Sequence, residues 1–264
     1  MALLNGLVTF INSMRNPLPV MPVEYQVRPR LGVRFSLPVH LILFIGFLLI
    51  SPLLLFVFLV LVSIGVNPLL ALTLTLGSLL TSYINVTIVE ITYYTPFAPF
   101  GDFIMKLFPI PIVMQRVDKL FIELNVGGAI IPVAVSIYLI LTYLINNTAI
   151  MALFIMSLII SSFINWLDSR VIPGIGVALP TALPVLLTLT FTLIATILFQ
   201  ANPLGFSYSL GSLSTLIGAD LLNIRRVVRS MRGYVAIGGA GVFDGIYITG
   251  LASLVLASLY RVLI

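Results

Sequence analysis

The sequence predicts an all-α integral membrane protein of about seven transmembrane helices, and three observations carry that prediction. The composition is 60% hydrophobic and only 8% charged, whereas soluble domains carry roughly 25% charged residues. Apolar runs close to the ~20 residues of a spanning helix recur along the chain. When those runs are laid out as spans, twelve of the thirteen Lys and Arg residues fall on one side. The positive-inside rule makes that side, and the N-terminus with it, cytoplasmic, and leaves the C-terminus outside.

Residues 1–39 read as a cytoplasmic or interfacial segment. Their apolar start has no cationic region ahead of it and no small-residue cleavage site, so it does not read as a signal peptide. Within the segment, VEYQVRPRLGVRF alternates weakly and reads as extended chain. The membrane domain follows at 40–264. Its first span covers about Leu41–Ile64, and Asn67-Pro68 turns the chain into a second that ends near Ile84-Asn85. Residues 86–124 form a cytoplasmic insertion whose flanks, VTIVEITYY and IPIVMQRVDKLFIELN, have β-branched, strand-like content. A small, partly β-structured cap is expected there. The third span runs about Val126–Ile145, the fourth Ala149–Asn165 and the fifth Ile175–Phe199. A sixth ends near Asp220, and the seventh runs from about Tyr234 to the C-terminus.

An internal repeat supports this layout. Each hairpin turn holds an asparagine, and 18 residues later the returning helix ends in a polar side chain: Asn67 to Asn85, Asn147 to Asn165, Asn202 to Asp220. Eighteen helical steps rise about 27 Å, roughly one bilayer core. The strings LTSYIN and ISSFIN end the first two copies. Three helical hairpins in parallel repeat, plus a final helix, are therefore expected.

The same composition narrows the chemistry. There is no cysteine, which removes disulfides and thiolate chemistry, and His40 is the single histidine, which argues against a Ser/His triad or a histidine metal site. No metal and no cofactor is expected. The net charge of +5 is explained by topology, with lipid bilayer as the partner and no nucleic acid. Arg225, Arg226, Arg229 and Arg232 fit anionic headgroups at the cytoplasmic surface.

Asp220 and Asp244 are the candidate catalytic residues. Ionisable groups in or beside spans are costly and mark function by default. Adjacent antiparallel helices bring the two to roughly matching depth, where paired carboxylates share one proton and act as acid and base on water. The competing reading makes Asp220 a helix-end residue paired with Arg225 or Arg226. Gly238, Gly239, Gly241 and Gly245 surround Asp244, either as a surface for close helix packing or as an unwound segment exposing backbone. Asn85 and Asn165 are further polar candidates, read either as parts of a cytoplasmic-surface site or as plain helix ends.

The segment GAD, a basic loop, then Gly239-Ala-Gly241-Val-Phe-Asp244 resembles the GxGD intramembrane aspartyl proteases, the presenilin and signal-peptide-peptidase group. That resemblance covers about 45 residues and implies Asp220 and Asp244 as the catalytic pair. Two residues are inserted between glycine and aspartate relative to that motif. The strings NVGGAIIP, GADLLN and GGAGVFDGIYITG resemble, along almost the whole chain, an uncharacterised and largely archaeal membrane-protein family of unknown function. Three functions stay open: an aspartyl protease-like hydrolase acting on a single-span membrane protein, an ion- or proton-coupled transporter, and a non-catalytic scaffold joined to a partner subunit. All three place the chain as a multi-pass protein of the cell membrane.

Overall fold

The structure, a computed structural model, describes residues 24–35, 54–55, 57–59, 61–62, 66–97, 114–240 and 244–263. Most of the expected first span and the middle of the 86–124 insertion lie outside the described residues, as does Gly241.

The all-α expectation is overturned by a four-stranded mixed sheet, of order β1-β2-β3-β6. Strand β1 is Glu24–Phe35, β2 is Ile84–Phe97 and β3 is Met114–Asn125; these three pair antiparallel. Strand β6, Gly233–Ile237, joins the sheet parallel to β3, with Leu120 opposite Gly233 and Leu124 opposite Ile237. The physical reason is burial on one face. Val89, Ile91 and Tyr93 alternate with Glu90 and Thr92 along β2, and Leu120 and Ile122 are the buried positions of β3 on either side of Phe121. These side chains pack on Ile224, Val227, Val228 and Met231. The last four belong to the basic connection after Asp220, where Ile224–Ser230 forms a short helix.

Helical residues lie at 54–55, 57–59 and 61–62, and seven further helices follow among the described residues. Helix α1 is Pro68–Thr81, α2 is Val126–Leu144, α3 is Thr148–Asp168 and α4 is Ala182–Phe199. Helix α5 runs Pro203–Thr215 and continues through a π-turn at Leu216–Leu221. The basic helix just named is α6, and Gly245–Leu263 is α7. A small hairpin, β4 (Arg170–Ile172) and β5 (Gly176–Ala178), links α3 to α4. Three helices, α2, α3 and α4, are long and apolar enough to cross a membrane.

Three boundaries move relative to expectation: the helix of the fifth span begins at Ala182 rather than Ile175, after β5, and the other two lie at the four-stranded sheet. The second helix stops at Thr81, and Ile84-Asn85 already belongs to β2. The stretch from Tyr234 is strand β6 rather than the start of a span, and the last helix begins at Gly245. Apolar, β-branched residues satisfy a buried strand as well as a helix, so hydropathy alone placed both boundaries too far into the sheet.

The repeat's asparagines have a plain physical role at the hairpin turns. The Asn67 carboxamide accepts from Leu69 N at 2.8 Å, Asn147 from Ala149 N at 3.0 Å, and Asn202 from Leu204 N at 3.0 Å. Each caps the helix that follows. The connections at the opposite end of these helices carry the sheet, the β4–β5 hairpin and α6.

Candidate functional site

The site is built where α5 ends and α7 begins. Near its end, α5 is wedged against α3. A Cβ on Gly218 would lie 2.4 Å from the Ser162 carbonyl oxygen and 2.7 Å from Asn165 Cβ. The helix then widens, with Leu222 N donating to Ile217 O at 2.9 Å, five residues back. Such π-turns insert one residue per turn and recur at functional sites. Asp220 lies within this wider turn.

Asp244 approaches from the other direction. After β6 the backbone turns at Gly238, whose φ of +70° suits glycine. A Cβ there would lie 2.6 Å from Gly128 C and 2.7 Å from Ala129 N. The turn is thus seated on the first residues of α2, which in turn press on α1: a Cβ on Gly127 would fall 1.9 Å from Ser78 O. Gly239 closes the turn by donating to Ala236 O at 3.0 Å. Asp244 then caps α7, its Oδ1 accepting from Ile246 N at 3.1 Å.

These two paths converge. Gly245 faces Thr215, with 3.4 Å from a built Cβ to Thr215 Cγ2. The Asp244 carboxylate acts electrostatically on Asp220. Each aspartate is half-buried. Asp244 stands ahead of α7, and burial pushes its carboxyl up to about 6 against the opposing pull of the Ile246 and Ala240 N–H donors. Among the described residues, no arginine forms an ion pair with either aspartate. Arg226 of α6 lies 5.4 Å from the Trp166 ring centroid, and Arg232, just past that helix, lies 3.7 Å from that of Tyr93. Asp220 lies at a helix end, next to last in the π-turn Leu216–Leu221 and without an arginine ion pair among the described residues, while Asp244 caps α7.

Asn85 and Asn165 each have their own setting. Asn85 is buried in β2 and accepts from Asn125 Nδ2 at 2.9 Å. Asn165 is buried between α3 and α5, its Nδ2 3.4 Å from Ser214 Oγ. Two residues escaped the sequence reading. Asn125 donates to Ser82 O at 2.5 Å and accepts from Gly128 N at 2.8 Å, tying α1, β2 and α2 together. Asn223 donates to Ser169 Oγ at 2.6 Å and Ala219 O at 2.8 Å, fixing the turn after Asp220 to the end of α3. The signal for Asn125 was its place just before Val-Gly-Gly, an N-cap pattern. Among the described residues, no three His, Cys, Asp or Glu side chains group as a metal site would require.

A family model described as a protein of unknown function, DUF1614, matches residues 79–256. The chain belongs to the DUF1614 family. The matched region includes β2, β3, β6, both aspartates and the glycine turn between them. No curated protein and no solved structure matches the chain.

Proposed function

We propose that this DUF1614 protein is a multi-pass membrane hydrolase of the aspartyl protease kind, with Asp220 and Asp244 as its acid–base pair. What supports this reading is that the Asp244 carboxylate acts electrostatically on Asp220, the one at the cap of α7 and the other in the π-turn of α5. Like charges held close favour a state with a single shared proton. The ionised member takes a proton from water as its oxygen bonds the scissile carbonyl carbon. The protonated member gives its proton to the departing amide nitrogen as the C–N bond breaks.

The substrate class is a single-span membrane protein, cleaved near the cytoplasmic face. The reading takes the chain as about seven spans in the cell membrane, with the N-terminus, the sheet and α6 cytoplasmic. That orientation rests on the arginines of β1 and α6, which lie at the sheet end of the helices. The test is cleavage of a reconstituted single-span reporter by wild type, Asp220→Asn and Asp244→Asn. Loss in both variants, with unchanged thermal stability in detergent, is expected. Full cleavage by either variant sinks the proposal.

A further inference from the structure

The apolar face of the four-stranded sheet packs on α6 and on helix ends, through Ala129 of α2 and Ile246 of α7. That face continues onto the edge strand β1, where the cover stops. Arg34 lies opposite Asn85 and reaches Glu123 on the other face of the sheet. Alternation therefore puts its neighbours Val33 and Phe35 on the packed face. Yet Leu31, Val33 and Phe35 are 79, 61 and 54% exposed. Among the described residues of this sheet, the other exposed large apolar side chains, Val117 and Tyr234, each stand alone on their strands.

Three features say what covers the end of β1. Edge strands that face water are guarded by charge, proline and bulges. β1 has that guard in its first part, with Arg28, Pro29, Arg30 and a bulge between Pro29 and Gly32. From Leu31 to Phe35 its single charge, Arg34, is turned across the sheet to Glu123. The exposed end also continues a helix face. Leu69, Leu72, Leu76 and Leu80 recur at helical spacing on α1 and are all exposed. Tyr83, just beyond them, stacks on Phe35 with ring centroids 6.0 Å apart. Finally, α1 is short: Pro68–Thr81 rises about 21 Å, less than the ~30 Å of a bilayer core. Its other end is closed by the Asn67 cap, so the apolar surface that makes up the difference lies at the sheet end.

We propose that Leu31, Val33 and Phe35 form a lipid-contact surface, seated where the phospholipid headgroups meet the acyl chains. The open backbone edge of β1 sets that depth. Hydrocarbon would leave its N–H and C=O groups without partners, whereas the headgroup layer hydrates them. The sheet is then a cap that rests on helix ends at its centre and on lipid at its edge. This site stands apart from the hydrolase reading and holds whether or not the aspartates cleave a substrate.

The chain holds no cysteine, so one introduced cysteine carries a fluorescent probe without competition. The test uses the full chain in lipid nanodiscs, labelled with an NBD fluorophore at Val33→Cys or at Gln26→Cys. Both positions are exposed, and they lie about 23 Å apart along β1. Phospholipid spin-labelled at carbon 5 of the acyl chain is the quencher from the membrane, and iodide is the quencher from water. The probe at 33 is expected to be quenched severalfold more by the spin-labelled lipid than the probe at 26, and to be shielded from iodide. Equal responses at the two positions overturn the lipid site. So does a probe at 33 that iodide reaches freely. A probe at 33 that neither quencher reaches also overturns it, and assigns the face to a second copy or to another segment of the chain.

Discussion

Gly218 and Ser162 hold α5 and α3 so close that a single methyl group on the glycine would come within 2.4 Å of the serine carbonyl. That contact is backbone on one side, so no rotamer change relieves it. Gly218→Ala must push the π-turn away from α3 and displace Asp220, two residues on. Overpacking of this kind costs about 1–3 kcal/mol. A fall in the unfolding temperature in detergent is expected, together with loss of reporter cleavage. Gly245→Ala, with 3.4 Å to its nearest neighbour, serves as the tolerated control for stability.

The sheet is pinned by a buried acid. Glu123 is fully buried, and its carboxylate accepts from Arg34 Nε at 2.9 and 3.0 Å, from Arg34 Nη2, and from Thr87 Oγ1 at 3.0 Å. Arg34→Ala leaves that carboxylate without its cation, and breaking a buried pair costs about 3–5 kcal/mol. Arg34 keeps 34% of its side-chain surface exposed, so the lower end of that range is expected. Glu123→Gln in the Arg34→Ala background should recover part of the loss; no recovery in chemical unfolding would count against a charge-burial origin.

Glu90 gives the exposed side of the sheet a pH response. Lys119 and Arg30, both bonded to it at 2.6 Å, hold its carboxyl below the usual value of 4.5. A carboxyl lowered by folding stabilises the fold above its unfolded value and stops doing so as pH falls through the folded one. Proteolysis within β1 and β3 should therefore rise as the medium is taken below about pH 4.5. In Glu90→Gln the acid dependence should flatten, and an unchanged acid dependence would assign it elsewhere.

Asp244 titrates in an unusual range. Its carboxyl, pushed up to about 6 by burial, should show a protonated C=O stretch in difference infrared spectra that disappears as pH rises through that value. The band should be missing in Asp244→Asn. A band that titrates near 4 in wild type would mean the carboxyl is far wetter than its surroundings imply.

How much of this was legible beforehand differs by element. Hydropathy and charge placement marked the long helices, and Asn67, Asn147 and Asn202 marked the turns because a cap is a local property of the sequence. The sheet was half legible: VTIVEITYY and the stretch around Glu123 read as strand-like, but YVAI before the glycines read as helix. Nothing local distinguishes a parallel strand buried against β3 from the start of a span. The aspartates stand out in the sequence because charge in an apolar chain is conspicuous. Asn125 and Asn223 were not, because a carboxamide becomes informative only once its distant partners, Ser82 and Ser169, are known.

Strand β6 pairs with β3 across a gap that holds four successive helices, α2 to α5, and the basic helix α6. During synthesis β1, then residues 36–83, then β2 and β3 are made while their neighbour β6 is still to come. The edge of β3 must wait, open, until the chain has threaded through α5 and returned. Only then does the Gly238 turn settle on α2 and Asp244 reach Asp220. The order of translation thus sets when the two carboxylates can meet: only after α2 to α5 are made, and a stalled or truncated chain carries Asp220 alone.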